Sequence, residues 1–189
     1  HANVVQRHDH RIFEDSIVGI VMECLPGGTL DSWLRQQPNG RMSELKVIEM
    51  SRHVLAGLAH MHGQGVIHRD VKPDNIMRHE DRHEGEVYKL IDLSVSIVDK
   101  SFRDTDDLLS NSLKDSTVHL QRQAGTPHYM SPESIKVDQI VTFKTDLWSL
   151  GVVIFRALSG TLPFAPGLLS SQDDDSIFKV TNSIVNDKV

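Results

Sequence analysis

The stretch 68–75 reads HRDVKPDN and sets Asp70, Lys72 and Asn75 close together, with His68, Arg69 and Asp74 beside them. A carboxylate can take the proton of an attacking hydroxyl, and a lysine can balance the charge on a group in transfer. An amide oxygen can bind a hard divalent cation. Together these make a set suited to phosphoryl transfer. Mg²⁺ prefers oxygen ligands, so a second carboxylate is wanted, and Asp92 supplies one at the end of the apolar run KLIDLS. Pro73 stiffens the turn between Asp70 and Asn75.

Strands and helices must carry these side chains. The apolar run 17–25, IVGIVMECL, reads as a buried strand ended by Pro26, Gly27 and Gly28. Over 43–62 the residues Val47, Met50, Val54, Leu55, Leu58 and Met61 recur at helical spacing. Ser43 is placed to cap that helix, Glu44 lies in its first turn, and Gly63 and Gly65 stop it. Short strands are expected near 75–77 and 87–91, with a polar hairpin loop over 79–86. The Ser-, Thr- and Asp-rich stretch 98–123 reads as a long loop. The run 144–159 reads as a helix buried on all sides, and a last helix is expected over 176–186 after a solvated loop ending in Asp173–Asp175.

Composition narrows the function further. The chain has 189 residues, of which 39% are hydrophobic and 24% charged, as in a soluble globular protein. A net charge of −6 and a pI near 6.0 argue against nucleic acid as a partner. No apolar run approaches the roughly 18–20 residues of a membrane span, so no membrane partner is expected. Cys24 is the single cysteine, which excludes an internal disulfide and suits a reducing compartment, cytoplasmic or nuclear. The chain shows no signal peptide and opens on His1, so it is expected to be a piece of a longer product. His-x-His pairs on a helix point to different faces, so His60/His62 and the other histidines are not read as zinc ligands.

At this point HRDVKPDN resembles the catalytic loop of eukaryotic protein kinases, and other landmarks of that family stand in the same order. Met22-Glu23-Cys24-Leu25-Pro26-Gly27-Gly28 resembles the gatekeeper and hinge, and Asp92-Leu93-Ser94 stands where the family has Asp-Phe-Gly. Gly125-Thr126-Pro127-His128-Tyr129-Met130-Ser131-Pro132-Glu133 resembles the substrate-binding segment. Asp146-Leu147-Trp148-Ser149-Leu150-Gly151 resembles the buried helix that anchors the catalytic loop.

The resemblance implies an α+β, protein-kinase-like fold. Residues 1–25 would be the end of the small lobe and the hinge. Residues 26–189 would be the helical large lobe, cut before its C-terminal helices. It implies ATP and Mg²⁺ as cofactors, protein substrates with Ser or Thr hydroxyls, and an upstream activating kinase. By motif, Asp70 would orient and deprotonate the substrate hydroxyl, Lys72 would steady the γ-phosphate, and Thr126 would hold that pair. Asn75 and Asp92 would bind the metal, while Met22, Glu23 and Leu25 would meet adenine. Lys72 together with Gly-Thr-Pro marks the serine/threonine type. Arg69 would receive a phosphate from the activation segment. Asp146 would be a buried carboxylate bonded to the catalytic-loop backbone, and His68 a packed scaffold residue. Cys24 would be a small apolar filler at the hinge.

The sequence departs from the family in three places. The Gly-rich loop, the strand lysine and its glutamate partner are not in this chain, nor is the arginine that pairs with Glu133. On its own the chain is therefore expected to lack useful kinase activity. Leu93 for Phe keeps an apolar plug, whereas Ser94 for Gly raises a question, because serine adopts positive φ poorly. The segment 92–133 is long and holds Ser101, Thr105, Ser110, Ser112, Ser116 and Thr117, which points to regulation by phosphorylation, with Ser116 or Thr117 foremost. Two other readings compete. A pseudokinase or scaffold would bind partners through the large lobe, against which the four retained residues Asp70, Lys72, Asn75 and Asp92 count. A small-molecule kinase would lack the Gly-Thr-Pro to Ser-Pro-Glu segment.

Overall fold

A computed structural model describes residues 1–13, 18–81, 85–98, 125–136, 141–164 and 174–186. The expected loop 98–123 and its candidate phosphorylation positions, Ser101, Thr105, Ser110, Ser112, Ser116 and Thr117, lie outside the described residues, apart from Val98. Asp173 lies outside them too.

The chain opens with an antiparallel hairpin of β1 (Arg7–Ile12) and β2 (Val18–Met22), paired from Ile12↔Val18 to Arg7↔Met22 with a register shift between Arg7 and Asp9. The apolar run becomes a strand as expected, but it is not buried. Val18, Ile20, Val21 and Met22 are 46–59% exposed. Among the described residues only β1 pairs with β2, and no second layer covers either face, so a hydrophobic sequence stays in water. Cys24 is likewise exposed, so it fills no core.

Residues 3–5 run beside β5 (Gly85–Leu90). The Val5 N–H donates to Leu90 O at 2.9 Å, and the Leu90 N–H donates to Asn3 O at 3.0 Å. Helix α1 (Leu30–Leu34) starts at Thr29, whose hydroxyl accepts the Ser32 N–H at 3.1 Å. Helix α2 (Glu44–Gly63) buries Val47, Met50, Val54, Gly57, Leu58 and Met61, a single stripe at helical spacing. Two details differ from expectation. Ser43 occupies the N-cap position but its side chain makes no capping bond. Leu55 is 44% exposed, because it falls outside the buried stripe. Gly57 lies where a Cβ would come within 2.6 Å of Asn3 O, so the missing side chain lets the N-terminal segment lie against α2.

The short strand β3 (Val66–Ile67) pairs with β6 (Ile97–Val98). After a 3₁₀ turn over Pro73–Asn75, β4 (Ile76–Asp81) pairs antiparallel with β5 from Ile76↔Leu90 to Asp81↔Gly85. The ladder thus runs further into the expected 79–86 loop than the sequence suggested. Helix α3 (Pro132–Ile135) is brief. Helix α4 (Lys144–Ser159) ends at Gly160 with φ 78°, a left-handed cap that glycine adopts without strain. It is not buried all round: Leu147, Phe155 and Leu158 are 41–48% exposed, because α4 packs by one face on α2 and the segment around Tyr129. Helix α5 (Asp174–Asn186) begins two residues earlier than expected.

The core is a cluster in which Met50, Val54 and Leu58 of α2 meet Tyr88 and Leu90 of β5 and Val153 and Ala157 of α4. Every one of these side chains is nearly inaccessible to water. The polar stretch 68–75 emerges on the edge of this cluster, between β3 and β4. The fold is a mixed α+β one, with helices dominating the described residues after β2.

Candidate active site

The backbone of 68–70 is held from below by one carboxylate. Asp146, fully buried on α4, accepts the His68 N–H on Oδ2 at 2.9 Å and the Arg69 N–H on Oδ1 at 2.8 Å. His62 Nε2, near the end of α2, lies 2.8 Å from the same Oδ2. A buried carboxylate is tolerable only with such partners. Arg69 takes φ 71° here, a left-handed residue between the two anchored amides and the side chains of Asp70, Lys72 and Asn75. His68 is inaccessible to water. Its Nδ1 accepts the Asp70 N–H at 3.3 Å, which puts the ring proton on Nε2, facing Ile91 O at 3.0 Å. Both ring nitrogens are engaged in the frame, so His68 is a scaffold residue and not a base.

Above this frame Asp70 is gripped by three side chains. Oδ1 accepts the Thr126 N–H at 3.0 Å and the Thr126 hydroxyl at 2.9 Å. Oδ2 accepts from Asn75 Nδ2 at 2.8 Å and lies 2.8 Å from Lys72 Nζ. Lys72 Nζ also donates to Thr126 Oγ1 at 2.7 Å, closing a triangle of Asp70, Lys72 and Thr126. Gly125 precedes Thr126 with φ 127°, and a Cβ there would sit 2.9 Å from Arg69 O. Glycine is therefore what allows the segment 125–130 to reach the loop at all.

Asn75 is buried, and its Nδ2 donates to both Asp70 O and Asp70 Oδ2. Its amide hydrogens are thus taken, and the carbonyl Oδ1 is left as an oxygen donor. The Ile91 N–H donates to Asn75 O at 3.0 Å, which brings the start of β4 beside the residue preceding Asp92. Asp92 takes φ 60° and accepts the Ser94 N–H on Oδ1 at 3.1 Å. Hydrogen bonds from Ser94, hydroxyl first and backbone second, hold the Asp92 carboxyl below the ordinary range, with Lys72 assisting. Ser94 itself does not have positive φ, so serine is accommodated in place of glycine without backbone strain. Leu93 is 44% exposed, so the expected apolar plug is at most half withdrawn from water.

Met22, Glu23 and Leu25 lie at the end of β2, and no hydrogen bond joins them to the Asp70 group. Met22 is half exposed and Leu25 is buried. The Glu23 N–H donates to Gln6 O, and its carboxylate pairs with Lys89 Nζ at 2.7 Å and accepts the Gln6 N–H at 2.7 Å. Burial works to raise the Glu23 carboxyl, and these bonds overcome it and hold it low. Its side chain is thus structural, while its carbonyl makes no backbone bond among the described residues.

A family model for the protein kinase domain matches residues 1–188. The chain belongs to the protein kinase family. Among curated relatives of this kinase, the serine/threonine-protein kinase pkn3 of Myxococcus xanthus is 33% identical over 165 residues, which cover 87% of the chain and 28% of that protein. The mitogen-activated protein kinase kinase kinase mkh1 of Cytospora mali is 33% identical over 185 residues, 96% of the chain and 9% of that protein. The maternal embryonic leucine zipper kinase of Xenopus laevis is 28% identical over 179 residues, 95% of the chain and 23% of that protein. The kinase chain therefore spans less than a third of the length of each of these relatives.

Several residues of the kinase frame escaped the sequence reading. His62 joins Asp146 from a helix 84 residues away, which no local pattern announces. Ser149 donates its hydroxyl to Tyr129 O at 2.7 Å. Arg156, inside the apolar run of α4, binds Tyr129 and Asp31. A charge in an otherwise apolar helix was the available signal, because a buried cation needs a partner. Arg69 is buried, donates Nη1–H to Val95 O at 3.4 Å, and makes no ion pair with a carboxylate among the described residues. Glu133 accepts the Thr145 hydroxyl at 3.1 Å.

Proposed function

We propose that this kinase transfers the γ-phosphoryl group of ATP to serine or threonine hydroxyls of protein substrates. The observation that carries the reading is the triangle of Asp70, Lys72 and Thr126, in which an acid and a cation are fixed on one threonine hydroxyl within 2.9 Å. Asp70 orients the incoming hydroxyl and takes its proton. Its carboxylate is turned toward Asn75 and Thr126 in advance, so no reorganisation is needed when charge develops. Lys72 leaves the Thr126 hydroxyl for a phosphate oxygen that carries more negative charge, and Thr126 then holds Asp70 alone. Leu25 and the Glu23 carbonyl offer backbone groups to adenine.

The donor set suits Mg²⁺. Asn75 Oδ1 and the Asp92 carboxylate are hard oxygens, and the bonds on Asn75 Nδ2 fix which end of the amide is available. Asn75 and Asp92 would hold the ion, which when bound neutralises charge on the phosphates. The Ser94 bonds favour the ionised form of Asp92, which is the form a metal ligand needs.

Protein substrates are supported by the segment 125–133, which resembles the family's substrate-binding segment and lies against the 68–75 loop through Thr126. Control by an upstream kinase is supported by Arg69, a buried guanidinium whose one printed hydrogen bond goes to Val95 O and which makes no ion pair within 4 Å among the described residues, although Asp146 is near enough to act on its charge; a phosphate would pair with it directly. Residues 1–25 would belong to the nucleotide-side lobe and hinge, and 26–189 to the substrate-side lobe. The exposed thiol of Cys24 suits a cytoplasmic or nuclear location. The test is labelled-phosphate transfer by the natural-length protein with Mg²⁺ to peptides carrying Ser, Thr or Tyr. Label on Ser or Thr supports the reading, and label on Tyr alone or on none overturns it.

A further inference from the structure

Arg156 takes no part in the transfer just described, yet it is only 7% exposed and both of its terminal nitrogens are hydrogen-bonded. From α4 its Nη1–H donates to the Tyr129 hydroxyl at 2.7 Å, and its Nη2–H donates to Asp31 Oδ1 at 2.5 Å. Asp31, in α1, is buried as well, and Arg35 Nε donates to its other oxygen at 2.7 Å. Burying an ion pair costs desolvation that only good geometry and further hydrogen bonds offset, and here Tyr129 on Arg156 and Arg35 on Asp31 supply those further bonds.

What it fixes is the turn that presents Thr126. Tyr129 closes the 3₁₀ turn Pro127–Tyr129, with its N–H on Thr126 O at 2.9 Å, and the Met130 N–H follows on Pro127 O at 3.2 Å. Helix α4 holds this turn twice, through Ser149 on the Tyr129 carbonyl and through Arg156 on the phenol. Burial pushes the Tyr129 hydroxyl up to about 12 although Arg156 opposes it, so the phenol keeps its proton at any physiological pH. Asp31 ties the same guanidinium to α1, whose N-cap Thr29 is bridged to Met77 of β4, just beyond Asn75. The two sides of the catalytic loop are thus braced on one side chain.

We propose that Arg156 is a positioning residue for the acceptor side of the site, holding Tyr129 and, through the 3₁₀ turn, setting Thr126 against Asp70 and Lys72. The catalytic half of this inference rests on the proposed phosphoryl transfer, while its structural half can be read without turnover. Amide hydrogen exchange on the full chain is the test. In Arg156→Met the Tyr129 and Met130 amides should exchange about tenfold faster, with the interior amides of α2 within about twofold of the parent, and Arg156→Lys should recover part of the protection. Should Arg156→Met fail to fold, Tyr129→Phe removes only the phenol oxygen and should show the same local acceleration. Unchanged exchange at Tyr129 and Met130, or equal acceleration in α2, would overturn the proposal. In the natural-length protein, Arg156→Lys should lower kcat several-fold while KM for ATP stays within about twofold. A matching rise in KM for ATP would contradict a role on the acceptor side. Local acceleration in a protein that transfers no phosphate would leave the brace standing and remove the proposed function instead.

Discussion

Asp146 accepts the backbone N–H of His68 at 2.9 Å across 78 positions of chain, and this bond fixes the height of the 68–75 loop above α4. Together with the Arg69 N–H and His62 it leaves the Asp146 carboxylate fully paired in a site closed to water. Asp146→Asn can keep one acceptor oxygen but must turn an N–H₂ toward a donor. It should cost about 1–3 kcal/mol of stability. Urea denaturation of the full chain, with both midpoint and slope recorded, measures it; a midpoint equal to that of the parent would show that the anchor does not matter for folding.

Thr126 makes a second, separable prediction. Its hydroxyl bridges Lys72 and Asp70, so Thr126→Ala should lower kcat by roughly tenfold or more, while Thr126→Ser should keep most of the activity. Steady-state kinetics of the natural-length protein decide the point. Equal losses in both variants would assign the effect to the methyl group and its packing.

Acid should weaken the fold through Asp31. Burial acts to raise its carboxyl, but the hydrogen bonds from Arg156 and Arg35 prevail and hold it below the ordinary aspartate value of 3.8. A carboxyl depressed in the folded state stabilises the fold above its unfolded pKa, and that contribution is lost as pH falls through the lower folded value. Glu86, held low against burial by Arg78 and Lys46, acts in the same direction from about 4.5 downward. Stability measured by denaturant at pH 5, 4 and 3 should therefore fall with pH. In Asp31→Asn the fall should be shallower, and an identical slope in the two proteins would count against this role of Asp31.

Gly160 gives the plainest backbone test. Its φ is 78°, and a Cβ would stand 2.2 Å from Asn39 O. Gly160→Ala should cost more than the ~1 kcal/mol of an αL alanine alone, because the 38–40 turn must also move. Thermal denaturation would register this as a clear drop in Tm. An unchanged Tm would mean that this close approach is not kept in solution.

How much of this could be read from the sequence differs from element to element. Helix α2 was legible because one side faces the core and the other water, so its period shows directly in Val47, Met50, Val54, Leu58 and Met61. The cluster Asp70, Lys72 and Asn75 was legible because all three lie on one short loop. Thr126 could be joined to them only by resemblance, since 56 positions separate it from Asp70. The exposure of β2 was misread because an apolar run reports what a strand could bury and says nothing of whether a layer is there to cover it. Helix α4 was misread similarly, as its Leu147, Phe155 and Leu158 point outward. The resemblance of Asp92-Leu93-Ser94 to Asp-Phe-Gly implies an apolar plug at Leu93, but a match in residue type does not report burial, and Leu93 is 44% exposed. The brace of Arg156, Tyr129 and Asp31 joins three segments by long-range polar contacts, which have no period and leave no local trace.

The central claim is that Asp70 is the base of a phosphoryl transfer whose geometry is set by Thr126, Asn75 and Lys72. Its most direct test is single-turnover phosphate transfer from ATP to a Ser peptide by the natural-length protein and its Asp70→Asn variant. Asparagine keeps the size of the side chain but cannot take a proton, so the rate should fall by about 10²–10⁴ with ATP affinity little changed. A variant that transfers phosphate at the parental rate would contradict the account.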